Sequence, residues 1–287
     1  MFRTECSVFA MLVAIISISN GQRPSDCVQS SGDVRALVKC LQTYFYRVPN
    51  SVTVDTLSVM LPTASERALF QKDVCLLVEQ NVTAAGQFHR GWPLVIVSPH
   101  SGRFVHHSAP HTMSDYNTDV QAAALFDMTK SKSLVVSTMR RDACKETRSS
   151  CQPSYWPTDG SHDRATLFHS AVVAVYEHQA SSVHGCPWQW CAFVQWHGKG
   201  STRCPDIEVS LSAGLGPRNG INIHKNTSAP VVRFRNALQA AWTAFGKTDY
   251  EATMPHEDDC KLAATKNLFG LILNGYEQET VCSSTPK

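Results

Sequence analysis

The sequence predicts a secreted, disulfide-bonded α/β protein, and three observations carry that expectation. Short apolar runs at Leu94–Ser98, Ser133–Thr138 and Ala192–Trp196 read as buried strands, the first ended by Pro99 and Gly102 and the last by Gly198. Between and around them lie longer stretches whose apolar residues recur at helical spacing. All but one of the eleven cysteines follow an apolar leader, which suits an oxidising compartment.

Taken in order, Met1–Gly21 carries Arg3, an apolar run from Val8 to Ile18 and small residues before Gln22. That is the pattern of a cleaved signal peptide, too short to span a bilayer. Val34, Leu37, Val38, Leu41 and Phe45 predict a helix over 33–45, stopped before Pro49. Over 63–79, Thr63 and Glu66 match a capping box ahead of Leu69, Val74, Leu77 and Val78, which predicts a second helix. Residues 22–90 are thus expected to form a helical layer on an α/β domain spanning 91–287. Asn81-Val82-Thr83 and Asn226-Thr227-Ser228 are glycan acceptor sequons in an exported chain.

His100 follows the Leu94–Ser98 strand and His197 follows Ala192–Trp196, both at glycine-containing loops. Ligands bind in the crevice outside the carboxyl ends of strands in open α/β sheets, so these two imidazoles are candidate metal ligands. A helix over 114–129 places Asp115 and Asp119 on one face near its start, and either could complete a His/Asp/His set. Acids there also suit the helix dipole. His106, His107 and His111 read as solvated loop residues. Arg140 and Arg141 follow the Ser133–Thr138 strand, where a guanidinium fork suits a substrate carboxylate. A further helix is expected over 162–179. The pairs Cys144/Cys151 and Cys186/Cys191 could each close a small loop, and Glu208 is the acid nearest His197 on its C-terminal side. Helices over 231–245 and an apolar stretch over 263–273 fill the last third. A formal charge of +2 argues against nucleic acid as the main partner, and no segment after the leader approaches a membrane span.

Several of these pieces, in order and spacing, resemble the N-formylglutamate amidohydrolase family over roughly residues 92–220. They are PHSGR at 99–103, Tyr116–Val120, Ser133–Thr138 with the two arginines, FHSAVVAVY at 168–176 and VQWHGKG at 194–200. The resemblance implies a three-layer phosphorylase/hydrolase-like fold with a central mixed sheet and zinc as cofactor. The zinc ligands it implies are His100, Asp119 and His197, Asp119 being preferred to Asp115 because Asn117-Thr118-Asp119 resembles a D-T-D segment of the family. His169 matches a family histidine and, with Glu208, is a candidate catalytic group, because a late glutamate-bearing strand of the family has no counterpart here. Where the family continues Asp-x-Asn-Arg, this chain has Asp142-Ala143-Cys144-Lys145-Glu146. The implied activity is attack of zinc-bound hydroxide on N-acyl or γ-glutamyl amino-acid-type amides, small-molecule or peptide-like, rather than on formylglutamate in particular. The other reading is a secreted non-catalytic protein that keeps the fold and binds a metal or ligand.

Overall fold

The computed structural model describes residues 26–27, 33–44, 66–71, 74–79, 82–88, 90–200, 202–216, 218–260 and 262–284. The expected signal peptide and Asn81 lie outside them. The chain divides into two compact units, Met1–Cys186 with Cys191–Gly198, and Pro187–Trp190 with Lys199–Lys287.

Helix α1 (Val34–Leu41) is capped by Asp33, whose carboxylate accepts from Ala36 N at 2.6 Å. It buries Val34, Leu37, Val38 and Leu41 and is held to the preceding turn by the Cys27–Cys40 disulfide. The second expected helix is instead a hairpin: strands β1 (Glu66–Gln71) and β2 (Val74–Glu79) pair antiparallel. The run Val74–Val78 is apolar at nearly every position, and such a run suits a buried strand as well as a helix. Pairing with strand β3 (Leu94–Val97), Leu76 opposite Ile96, decides for the strand. Beyond the turn at 98–102 come strand β4 (Arg103–Ala109), helix α2 (Thr118–Thr129), strand β5 (Ser131–Val136), helix α3 (Leu167–Ser181) and strand β6 (Cys191–Gln195). Helix α3 starts five residues later than expected, because Thr166 is its cap and Asp163 accepts from Ala165 N at 2.8 Å in the turn before it.

The six strands form one mixed sheet in the order β1-β2-β3-β5-β4-β6. Strands β4, β5 and β6 are mutually parallel, while β3 runs antiparallel to β5. One face is packed by α1 and α2, with Leu76, Leu94, Ile96, Leu134, Val136 and Phe126 in a single core. Strand β4 sits between β5 and β6, and the chain visits β5 first through α2 and then β6 through α3. That reversal of direction opens a crevice at the carboxyl ends of β4 and β6.

Strand β4 was not legible as a strand because two of its central residues are histidines. Both are buried; His107 is hydrogen-bonded at both ring nitrogens and His106 at Nδ1. His106 Nδ1 lies 2.8 Å from Ser133 Oγ and its ring stacks on Phe193 at 4.3 Å. His107 Nδ1 accepts from Trp196 Nε1 at 3.1 Å, so its Nε2 carries the proton that meets Ser131 Oγ at 3.1 Å. Burial lowers them to about 3 and about 4, which keeps both rings neutral. The expectation of solvated loop residues is thereby corrected for this pair.

The second unit holds a short parallel pair, β7 (Val209–Ser210) with β8 (Ala252–Thr253), and helices α4 (Ile221–His224), α5 (Pro230–Ala244) and α6 (Leu268–Leu273). Its core gathers Leu211, Ala229, Val232, Ala252 and Met254, and Cys204–Cys260 cross-links it. Asn226 is exposed, and its side-chain oxygen accepts from Ser228 N at 3.0 Å. Cys186 and Cys191 pair as expected. The Cys144/Cys151 loop does not close: Cys151 is disulfide-bonded, whereas Cys144 is a buried thiol pushed up to about 11 by burial, with Thr158 Oγ1 accepting its N–H. No described helix is long and apolar enough to cross a membrane.

Candidate metal centre

The carboxyl ends of β4 and β6 each deliver a histidine. His111 follows Ala109 by two residues and His197 follows Gln195 by two, and the ladder between these strands continues past them as Trp196 N donates to Ser108 O at 2.8 Å. Asp115 is brought beneath them by a turn in which its N–H bonds His111 O at 2.7 Å. The long connection from β5 to α3 supplies Arg141, Asp159 and His162, with the backbone of His162 and Asp163 donating to Asp159 O. A loop of that length without regular structure is commonly a functional one.

His111 is the hub. It is 2% exposed, its Nδ1 lies 3.2 Å from Asp115 Oδ2, and its Nε2 lies 2.8 Å from Asp159 Oδ1. Burial alone would lower its pKa, but hydrogen bonds to the two carboxylates outweigh that and raise it. The carboxylates respond in the opposite sense. Burial would raise Asp115, yet His111, His197 and the Gly198 N–H hold it well below the usual range. Asp159 is depressed likewise against its burial, through His111 and His162. His197 Nδ1 lies 3.5 Å from Asp115 Oδ2, and Arg141 Nη1 lies 3.8 Å from Asp115 Oδ1. Gly198 allows this closeness, since a Cβ there would stand 2.9 Å from Asp115 Cα.

Two groups can hold a metal ion, His111 with Asp115 and His197, and His111 with Asp159 and His162, each with ligand atoms within 4.8 Å of one another. Chemistry distinguishes them. His197 Nε2 donates to Gln195 Oε1 at 3.0 Å, since a carbonyl oxygen only accepts, and its Nδ1 faces Asp115 Oδ2. His111, with Nε2–H donated to Asp159, meets the same carboxylate oxygen through Nδ1, whose proton a bound metal would displace. Two imidazole Nδ1 atoms and one carboxylate oxygen thus converge, each histidine oriented from behind by an oxygen, an arrangement able to hold a metal ion once the Nδ1 protons are given up. The separations of 3.2 and 3.5 Å fit it as well. Zinc bonds of about 2.0–2.1 Å place tetrahedral ligand atoms about 3.3 Å apart. In the second group the corresponding distances are 2.8 and 2.9 Å, ordinary hydrogen bonds.

Of the residues singled out from sequence, His197 and Arg141 are in this cluster. His100 is not, because β3 runs opposite to β4 and β6, so the residue after its carboxyl end lies at the other edge of the sheet. Asp119 is fully buried in the first turn of α2, bonded to Gln42 Nε2, and burial raises its pKa. Arg140 is spent on Asp142, bound at 2.8 and 3.1 Å. His169 is 0% exposed on α3, and burial lowers it to about 4. Neither of its ring nitrogens has a partner among the described residues, and a group sealed from solvent cannot meet a substrate. Glu208 belongs to the second unit, where its carboxylate accepts from Glu251 N at 2.7 Å.

Four residues of the cluster were passed over or ranked second: His111, Asp115, Asp159 and His162. The signals were present as H-x-x-x-D at 111–115 and D-x-x-H at 159–162.

Comparison with protein-family models, curated proteins and solved structures finds no match. The reading of the centre therefore rests on its own geometry.

Proposed function

We propose that this chain is a secreted zinc-dependent amide hydrolase whose metal is held by His111 Nδ1, Asp115 Oδ2 and His197 Nδ1. The observation that carries the reading is the convergence of those three ligand atoms, at 3.2 and 3.5 Å, with Asp159 and Gln195 orienting the two rings. Three protein ligands leave a fourth position open, as catalytic zinc sites do. A bound zinc would supply Lewis acidity to a carbonyl and acidify a water. The protein supplies the rest. Arg141, 38% exposed beside Asp115, offers donors to a carboxylate-bearing substrate, which favours N-acyl or γ-glutamyl amino acids among amides. Helix α3, on the opposite face of the sheet from α1 and α2, would complete the three-layer phosphorylase/hydrolase-like arrangement. The disulfides support export through an oxidising compartment.

Metal analysis of the purified protein should find one zinc per chain, lost in His197→Ala. Assays on N-formyl, N-acetyl and γ-glutamyl amino acids should show turnover that a chelator removes and zinc restores. Stoichiometric zinc without turnover above the chelated control would replace this reading with that of a metal-binding protein.

A further inference from the structure

The hydrolase reading lacks a group to take a proton from the attacking water, and neither residue expected for that task can serve. His169 is sealed inside the protein, and Glu208 is held by the Glu251 backbone. The cluster itself contains another histidine in a different state. His162 Nδ1 lies 2.9 Å from Asp159 Oδ1, the oxygen that also takes His111 Nε2 at 2.8 Å and Ser161 N at 3.1 Å. A carboxylate oxygen accepts, so His162 carries its proton on Nδ1 and presents the lone pair of Nε2, for which no hydrogen-bond partner exists among the described residues. The ring is clamped in plane: Tyr155 stacks on it with centroids 3.6 Å apart and an interplanar angle of 5°. It lies nearly parallel to the His111 ring, centroids 6.2 Å apart, and its side chain is 14% exposed, within reach of solvent.

From this geometry we infer that His162 is the general base of the centre, oriented by Asp159, and that Asp159 serves two histidines at once, one holding the metal and one moving the proton. The inference rests on the hydrolase reading of the preceding section. In the step, the oxygen of a water forms a bond to the amide carbonyl carbon while one of its protons passes to His162 Nε2. As the C–N bond breaks, that proton goes to the leaving nitrogen, giving a carboxylic acid and an amine, and the acid's proton is lost to solvent. A histidine held by a carboxylate on one nitrogen and open on the other is the usual construction of such a base.

The alternative use of His162 is as a ligand in the second group, and the two uses separate cleanly. The full-length protein, loaded with zinc and separately with cobalt, is compared with His162→Ala and His162→Gln, with His111→Ala as control. The expected result is one metal per chain and an unchanged cobalt absorption spectrum in both His162 variants, with kcat down by about 100- to 10,000-fold. Added imidazole should restore part of the turnover to His162→Ala and none to His111→Ala. Loss of metal or an altered cobalt spectrum in the His162 variants would make His162 a ligand and overturn the assignment, as would turnover within a few-fold of the parent. A zinc-loaded parent that turns over no amide overturns the hydrolase reading first, and the base assignment falls with it.

Discussion

Two groups of histidine lie within six residues of each other, and they have opposite fates. His106 and His107 sit inside β4, facing the hydroxyls of Ser133 and Ser131, and are neutral. His111 sits just past the end of the same strand, facing the carboxylates of Asp115 and Asp159, and its pKa is raised. All three are at most 5% exposed, so burial does not distinguish them. What distinguishes them is the partner: a hydroxyl satisfies an imidazole without charging it, whereas a carboxylate pair binds a cation, whether a proton or a metal ion. A buried histidine is therefore read from what faces it.

Replacing the hub should give the largest effect. His111→Ala is expected to abolish stoichiometric zinc binding, checked by metal analysis after dialysis; retained zinc would move the centre elsewhere. Asp159→Asn keeps the shape but weakens the oxygen behind His111, and zinc affinity measured against a competing chelator should fall by about 10- to 100-fold. An unchanged affinity would mean that Asp159 does not orient a ligand. The strand histidines should fail in another currency. His106→Ala removes a stacked, hydrogen-bonded side chain from the sheet and should cost about 2–4 kcal/mol in denaturant unfolding while leaving zinc stoichiometry intact. If it released the metal, the contrast between the two groups would collapse.

The contrast also predicts a pH slope. His106 and His107 titrate at about 3 and about 4 in the folded protein and near 6.5 when unfolded. Between those values the unfolded chain binds protons that the folded one refuses, so stability is full above pH 6.5 and falls as pH drops toward 4. The slope approaches about 1.4 kcal/mol per pH unit for each histidine. Unfolding of the metal-free protein between pH 7 and 4 measures it, and replacing His106 by Phe should remove its share. A slope unchanged by that substitution would place the protons elsewhere.

Much of this architecture was legible in the sequence, and the failures share a cause. The apolar runs of β3, β5 and β6 and the periodicities of α1, α3 and α5 announce themselves, because core packing demands them locally. The β1–β2 hairpin was hidden, since Val74–Val78 satisfies two periodicities and only its partner strand selects one. Strand β4 was hidden by polar residues whose contacts come from β5 and β6. The rule that placed His197, a histidine past the carboxyl end of a strand, was sound. Applied to His100 it failed because sequence does not display strand direction, and β3 runs the wrong way. Asp119 was preferred to Asp115 on a resemblance, although the i,i+4 spacing of His111 and Asp115 lay in the residues themselves.

The parallel pairing of β4 with β6 has a consequence for how the centre comes into being. Its ligands arrive from residues 111, 115 and 197, and only the docking of an edge strand, which must wait for β5 and α3 to be laid down, unites them. Such long-range pairings form slowly during folding. A growing chain has no complete ligand set until β6 has emerged, so an ion captured there acts as a latch on the last strand: it lends its binding free energy to the finished sheet and none to its precursors.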